Sequence, residues 1–299
     1  MPDKPLLAVP NVSEGRQQAT IKAIADAFTA GGAARLLDVH SDTDHHRSVF
    51  TLAGAQGELS DALLAGARLS VERVDVGETR DPAAIGVHPH VGAVDVMPLV
   101  YLDADQRGAA CAEALVVAAG LGDELGVPVL LYGDLAQGRT RAELRRGGVT
   151  GLARRLSGGE LRSDFGPLRM HPTAGATLVT AREPLVAFNL ELAPPATVED
   201  AKHIAGLIRE GGPEGLTGVR AIGVSLRRGD TVAQLSMNVE RPLELPLCAV
   251  VDAVRRHATV ASAELVGLAP RAALEGFPAD VPLPGFDPGV HVIENALGF

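Results

Sequence analysis

Apolar and polar positions recur along this chain with two periods, and the periods alternate in a regular order. Leu6–Val9 is a short apolar run, read as a strand, that enters the turn-rich loop Pro10-Asn11-Val12-Ser13-Glu14-Gly15. Ile21, Ile24, Ala25 and Phe28 recur at i, i+3, i+4 and i+7, one face of a helix, which Gly31-Gly32 ends. Arg35–Val39 and Ser48–Leu52 read as strands. Leu59, Ala62, Leu63, Ala67 and Val71 mark a second helix. Val94–Leu102 reads as a strand, Ala109–Leu125 as an Ala-rich helix and Val127–Tyr132 as a buried strand. Strands alternating with helices predict an α/β layer.

From about 135 to 170 the pattern lapses into Arg and Gly (Arg139, Arg141, Arg145, Arg146, Gly147, Gly148, Arg154, Arg155). This stretch reads as a connector, either a solvated loop or a basic face for an anionic ligand. The second half is regular again. Strands over Leu185–Leu192, Val219–Leu226, Val232–Val239 and Val260–Leu268 enclose two helices. The first follows a Thr197/Asp200 capping pattern, and the second carries Leu247, Val250, Val251 and Val254. That order, β-α-β-β-α-β, is a ferredoxin-like unit. A Pro/Gly-rich tail, Phe277–Gly289, follows.

Composition narrows the function classes. The 299 residues carry a net charge of −10 and only 7 Phe, 2 Tyr and no Trp. A single-stranded nucleic-acid binder needs rings on a basic groove, so nucleic acid is not an expected partner. The acidic excess also argues against an anionic membrane surface. No run of about 18 apolar residues is present, so no membrane span is expected. No apolar segment follows Met1–Pro5, so no signal peptide is expected either, and a cytoplasmic location is the reading. Cys111 and Cys248 are too far apart in sequence to suggest a metal pattern.

Titratable residues concentrate in three places. Asp38–Arg47 holds three carboxylates and three imidazoles, and admits a solvated loop, a substrate loop or a carboxylate/imidazole metal site. Gly86–Asp95 sets His88 and His90 among Gly86, Pro89 and Gly92. These would hold an imidazole still, in a pKa range that lets it take and give a proton. The third, Ser163–Pro167 with Met170–Thr177, is a plain linker or a ligand loop.

In order along the chain, several motifs resemble the glutamate formiminotransferase domain family. They are Val9–Gly15, Leu37-Asp38-Val39, Asp44–Val49, Gly86–Val96, Asp164–Pro167, His171–Thr177, Gln234–Asn238 and Glu264–Leu268. The resemblance implies two ferredoxin-like α/β subdomains, with mixed and antiparallel sheets covered by helices and a ligand cleft between them. The subdomains are placed at 1–178 and 179–299. It also implies a homodimer, and the form without the cyclodeaminase domain.

The implied reaction moves a formimino group from N-formimino-L-glutamate to N5 of tetrahydrofolate, in histidine degradation. His88 matches the family's catalytic histidine, and Asp38 is the carboxylate assigned to orient it. Asp164, Phe165, Gly166, Pro167, Leu168, Arg169, Met170, His171, Pro172 and Thr173 match its folate segment. Arg47, with Arg169 and Arg182, is a candidate clamp for substrate carboxylates. His90 stands where the family has arginine, and is counted among the substrate-binding residues. No metal is required. The alternatives are a folate-binding paralogue with another one-carbon donor or no activity, and a metal-dependent hydrolase built on the Asp/His cluster.

Overall fold

The computed structural model describes residues 4–77, 89–228 and 230–299, and the chain divides into two units, up to Glu183 and from Pro184 onward. The first unit begins with β1 (Leu6–Ala8) and β2 (Asn11–Val12), then α1 (Gln18–Thr29), β3 (Ala34–Asp42), β4 (Arg47–Gly54), α2 (Leu59–Arg73) and β5 (Val94–Val100). The sheet order places β1 and β2, end to end, between β4 and β5, with β3 outside β4. This is the antiparallel ferredoxin-like arrangement. α3 (Arg107–Asp123) then leads to β6 (Val129–Leu131), and β7 (Thr177–Arg182) inserts in parallel between β5 and β6. The result is a mixed sheet of seven strands.

The helical periodicities account for the core. Ile21, Ile24, Ala25 and Phe28 are the buried face of α1. They pack with Leu59, Leu63 and Ala67 of α2 and Ala114, Val117 and Leu121 of α3 on one face of the sheet. α3 carries one buried acid, Glu113. Its carboxylate accepts from the N–H groups of Gly57 (2.5 Å) and Ser60 (2.7 Å). It thus caps α2, whose own N-cap Glu58 makes no side-chain cap bond.

Two features of this unit lie outside the sequence expectation. β7 falls across residue 178, where the sequence places the subdomain join. The strand is buried on both faces, so it shows no alternation to mark it. The 135–170 stretch is not a solvated connector. Its helices α4 (Arg141–Arg145) and α5 (Gly148–Ser157) bury Leu144, Leu152 and Leu156 against Val96, Leu130 and Leu178, on the sheet face away from α1–α3. Arg155 donates to the carbonyls of Glu143 and Leu144, and to that of Arg146 at 3.1 Å, satisfying the orphan acceptors at the end of α4.

The second unit is β8 (Val186–Leu192), α6 (Val198–Ile208), β9 (Val219–Arg228), β10 (Asp230–Val239), α7 (Leu247–Arg255) and β11 (Val260–Val266). Its sheet runs β11-β8-β10-β9, all antiparallel, which is the predicted β-α-β-β-α-β unit. Thr197 and Asp200 form the expected capping box of α6. Phe188, Leu190, Leu235 and Met237 face the two helices. The opposite face carries the polar partners Asn189, Ser236 and Glu264 in register, with Asn189 Nδ2 donating to Glu264 at 2.7 Å. The Pro/Gly-rich tail is fastened to this unit. Ala273 and Val281 join its core, and Pro282 accepts from the Ala263 N–H. Among the described residues no helix is long and apolar enough to cross a membrane.

Candidate functional site

The sequence motifs of the first unit meet at one end of its sheet. β2 and β3 end there, and β4, β5 and β7 begin there. From β2, the Ser13 Oγ–H donates to the Gly92 carbonyl (2.7 Å), and the Ser13 N–H to Ala93. From the β3–β4 turn, His46 Nδ1 accepts from the Gly15 N–H at 3.1 Å. The Ser48 hydroxyl donates to the Glu14 carbonyl at 2.5 Å. The buried Glu14 carboxylate accepts from the N–H groups of Arg16 (2.7 Å) and Gln17 (3.0 Å) at the entry to α1. It lies 3.7 Å from His46 Nδ1.

Two glycines allow the loop before β5 and the turn before β7 to touch. A Cβ on Gly92 would lie 2.0 Å from the Ala176 carbonyl oxygen. Gly175 has φ +70°, and a Cβ there would lie 2.2 Å from the Val91 carbonyl oxygen. The approach is closed by Ala93 N–H to Ala174 and Ala176 N–H to Val91. The same turn accepts from Val76 through Thr173. The chain on either side of residues 78–88 is therefore tied to residues 173–176.

Electrostatics at this end are set by burial. Asp95 is 1% exposed, accepts from the Val91 N–H at 2.8 Å and pairs with Arg145 from α4. Burial lowers the Arg47 guanidinium to about 10, with Asp95 acting in the opposite direction, so Arg47 remains cationic at neutral pH. Burial likewise lowers His46, helped by Arg16 and His90 and opposed by Glu14.

A ring kept neutral by burial binds no proton where the unfolded chain binds one. Its contribution to stability is therefore complete above the ordinary value of 6.5 and is lost as the pH falls below it. Asparagine tolerates the left-handed backbone that His46 adopts (φ 48°). The melting temperature of a His46→Asn variant should then fall less steeply than that of the wild type between about pH 6.5 and pH 5, by a few degrees. Thermal melts at four or five pH values check this.

The predicted residues divide as follows. His88 lies outside the described residues. His90 and Arg47 are at the strand-end cluster. Asp38 is four residues before Asp42 in β3, opposite Thr51. A bulge between Leu36 and Asp38 sets its direction: Leu36 pairs with the core residue Leu52, but Asp38 pairs with Thr51. In a regular strand residues 36 and 38 would share a face. The extra residue turns Asp38 onto the face away from α1 and α2.

In the third motif, Asp164 Oδ2 accepts from the Leu131 N–H at 2.7 Å and pairs with Arg139. Phe165 is half-buried against the first core, whereas Gly166, Pro167, Leu168 and Arg169 are exposed. Met170 is half-buried on the smaller core beneath α4 and α5. His171 Nδ1 accepts from the Ala174 N–H at 2.9 Å, so the ring carries its proton on Nε2. Pro172 and Thr173 complete that turn. Arg182 ends β7, where its guanidinium donates to the Glu183 carbonyl at 2.8 Å.

Two residues of this cluster carry no sequence signature of their own: Asp95 lies within the Gly86–Val96 motif, and Arg145 is one arginine among many in the 135–170 stretch. The one available signal was an acid set in the otherwise apolar run Ala93–Val100. Among the described residues no three His, Cys, Asp or Glu side chains converge as metal ligands, so the hydrolase alternative gains no support.

Comparison with known proteins identifies the family. Residues 6–182 match the formiminotransferase domain, N-terminal subdomain. A glutamate formimidoyltransferase of Streptococcus pyogenes serotype M1 is 34% identical over 97% of both chains. One from Thermoplasma acidophilum is 32% identical over 97% of this chain and 96% of its own. The formimidoyltransferase-cyclodeaminase of Gallus gallus is 35% identical over 89% of this chain, which spans 50% of that protein. With its site motifs gathered at one end of a ferredoxin-like sheet, the domain match over residues 6–182 and two glutamate formimidoyltransferases matched almost end to end, the chain belongs to the formiminotransferase family.

Proposed function

We propose that this protein transfers a formimino group from N-formimino-L-glutamate to N5 of tetrahydrofolate, its co-substrate, giving 5-formiminotetrahydrofolate and L-glutamate in histidine degradation. The carrying observation is the near-complete match to two relatives that are both named glutamate formimidoyltransferase. In this reading N5 attacks the amidine carbon, and a new C–N bond forms as the bond to the glutamate nitrogen breaks. N5 must lose a proton and the leaving nitrogen must gain one, and the imidazole of His88 takes the first and supplies the second. Asp38 is its orienting carboxylate. The bulge supports this, because it takes the carboxyl off the core face.

Arg47 and His90 serve the donor's carboxylates, and the cationic state of Arg47 at neutral pH suits that role. Residues Asp164–Thr173 serve the folate. Leu168 is half exposed and offers apolar surface to a pterin, and the exposed Arg169 offers charge to its glutamate tail. The protein acts as a homodimer in the cytoplasm. The test is direct: purified protein, formiminoglutamate and tetrahydrofolate should give 5-formiminotetrahydrofolate, and wild-type protein that gives none overturns the reading.

A further inference from the structure

Four ties hold the backbone of Val91–Ala93, and three of them are neutral. Ser13 donates to Gly92 and Ala93, residues 174–176 exchange backbone bonds with it, and β5 continues from it. The fourth link is ionic. The Asp95 carboxylate divides its two oxygens, Oδ1 taking the Val91 N–H at 2.8 Å and Oδ2 taking the guanidinium of Arg145. The carboxylate is 1% exposed, and a buried charge is costly unless it is paired and hydrogen-bonded. Arg145 is itself only 14% exposed in its side chain, and its buried Nε has no hydrogen-bond partner among the described residues. The guanidinium is thus committed to Asp95 at a site where one more donor is already left unmet. α4 is in turn kept in place by Leu144 in the smaller core and by Arg155 on its carbonyls.

We propose that Arg145 and Asp95 are a positioning pair for the formimino-transfer reaction: Arg145 fixes the Asp95 carboxylate, and Asp95 holds the Val91 amide. This fixes the backbone one residue after His90 and three after His88. The inference rests on the reading given under Proposed function. Neither residue touches substrate. Their work is to keep the segment rigid through the proton transfers, so their loss acts on kcat more than on KM. Asparagine at 95 keeps the acceptor for Val91 but leaves Arg145 without a counter-charge. Glutamine at 145 removes the cation that is hydrogen-bonded to the buried carboxylate and leaves only the nearby Arg47.

The test uses full-length Arg145→Gln, Arg145→Lys and Asp95→Asn. Steady-state kinetics with both substrates and hydrogen exchange of the Val91 amide are measured well below each melting midpoint. Arg145→Gln should lower kcat about 10- to 100-fold with both KM values within about threefold, and speed Val91 exchange at least about tenfold. Arg145→Lys keeps the charge and should recover part of both losses. In the double variant the effects should be smaller than the product of the single ones, as for residues in contact.

A folded Arg145→Gln with kcat within about twofold of wild type overturns the proposal. So does unchanged Val91 exchange. Where Arg145→Gln does not fold, Arg145→Lys is held to the same two readouts, and wild-type values for both overturn it. Should the wild type catalyse no transfer, the functional reading fails on that measurement. Val91 exchange then decides by itself whether the pair holds the segment.

Discussion

Replacement of His88 by alanine should lower kcat for formimino transfer by about 10²–10⁴-fold, the range that a positioned acid–base group contributes. Both proton movements in the reaction involve nitrogens, and both are needed at neutral pH. An imidazole is the side chain that can accept and return a proton there without a large bias either way. Alanine removes the relay and none of the arginines that serve the carboxylates, so both KM values should move less than kcat. Steady-state kinetics, with circular dichroism to establish that the variant is folded, check the result. A folded variant with kcat within about threefold of wild type sinks the assignment of His88.

The second large effect concerns backbone fit. Gly92→Ala places a methyl 2.0 Å from the Ala176 carbonyl oxygen and 2.9 Å from its carbonyl carbon. Both contacts are backbone, so no side chain can swing aside to make room. Either the 174–176 turn or the loop before β5 must shift, and with it the pairing of Gly92 with Gly175. Overpacking of this kind costs about 1–3 kcal/mol, and a backbone obstacle belongs at the upper end. Urea denaturation should report a loss of about 3 kcal/mol for the first unit. Activity should fall further than stability, since the displaced segments are those that flank the site. A Gly92→Ala protein with wild-type midpoint and wild-type kcat would show that the two segments are not held together as described.

Much of this architecture is visible in the residues. The i, i+3, i+4, i+7 face of α1 predicts its four buried side chains. The second unit's element order reads directly from alternating periods, because each strand has one polar and one apolar face. The family motifs name the loops that converge.

What stays hidden has a common physical cause, since it depends on partners distant in sequence. β7 is covered on both sides, so Thr177–Arg182 shows no period of two. The arginines of the 135–170 stretch look like a solvated basic run. Yet Arg139 holds Asp164, Arg145 holds Asp95 and Arg155 holds three carbonyls. Nothing local distinguishes them from Arg146, which pairs with Glu160 at the surface. The charge balance of the site is settled by which arginine reaches inward, and tertiary contacts decide that.

The bulge in β3 has a consequence for how this family can change. Asp38 reaches the outer face of the sheet because one surplus residue, Leu37, breaks the two-residue rhythm of the pleat. The face of that carboxylate is fixed by its pairing with Thr51, which the bulge preserves across the extra residue. Deleting Leu37 would make Leu36 and Asp38 neighbours opposite Leu52 and Thr51, so the pleat would become regular and the carboxylate would stay on the outer face. A relative with one residue fewer between Leu36 and the Asp38 motif would therefore lose the bulge and keep both the fold and the outward carboxylate.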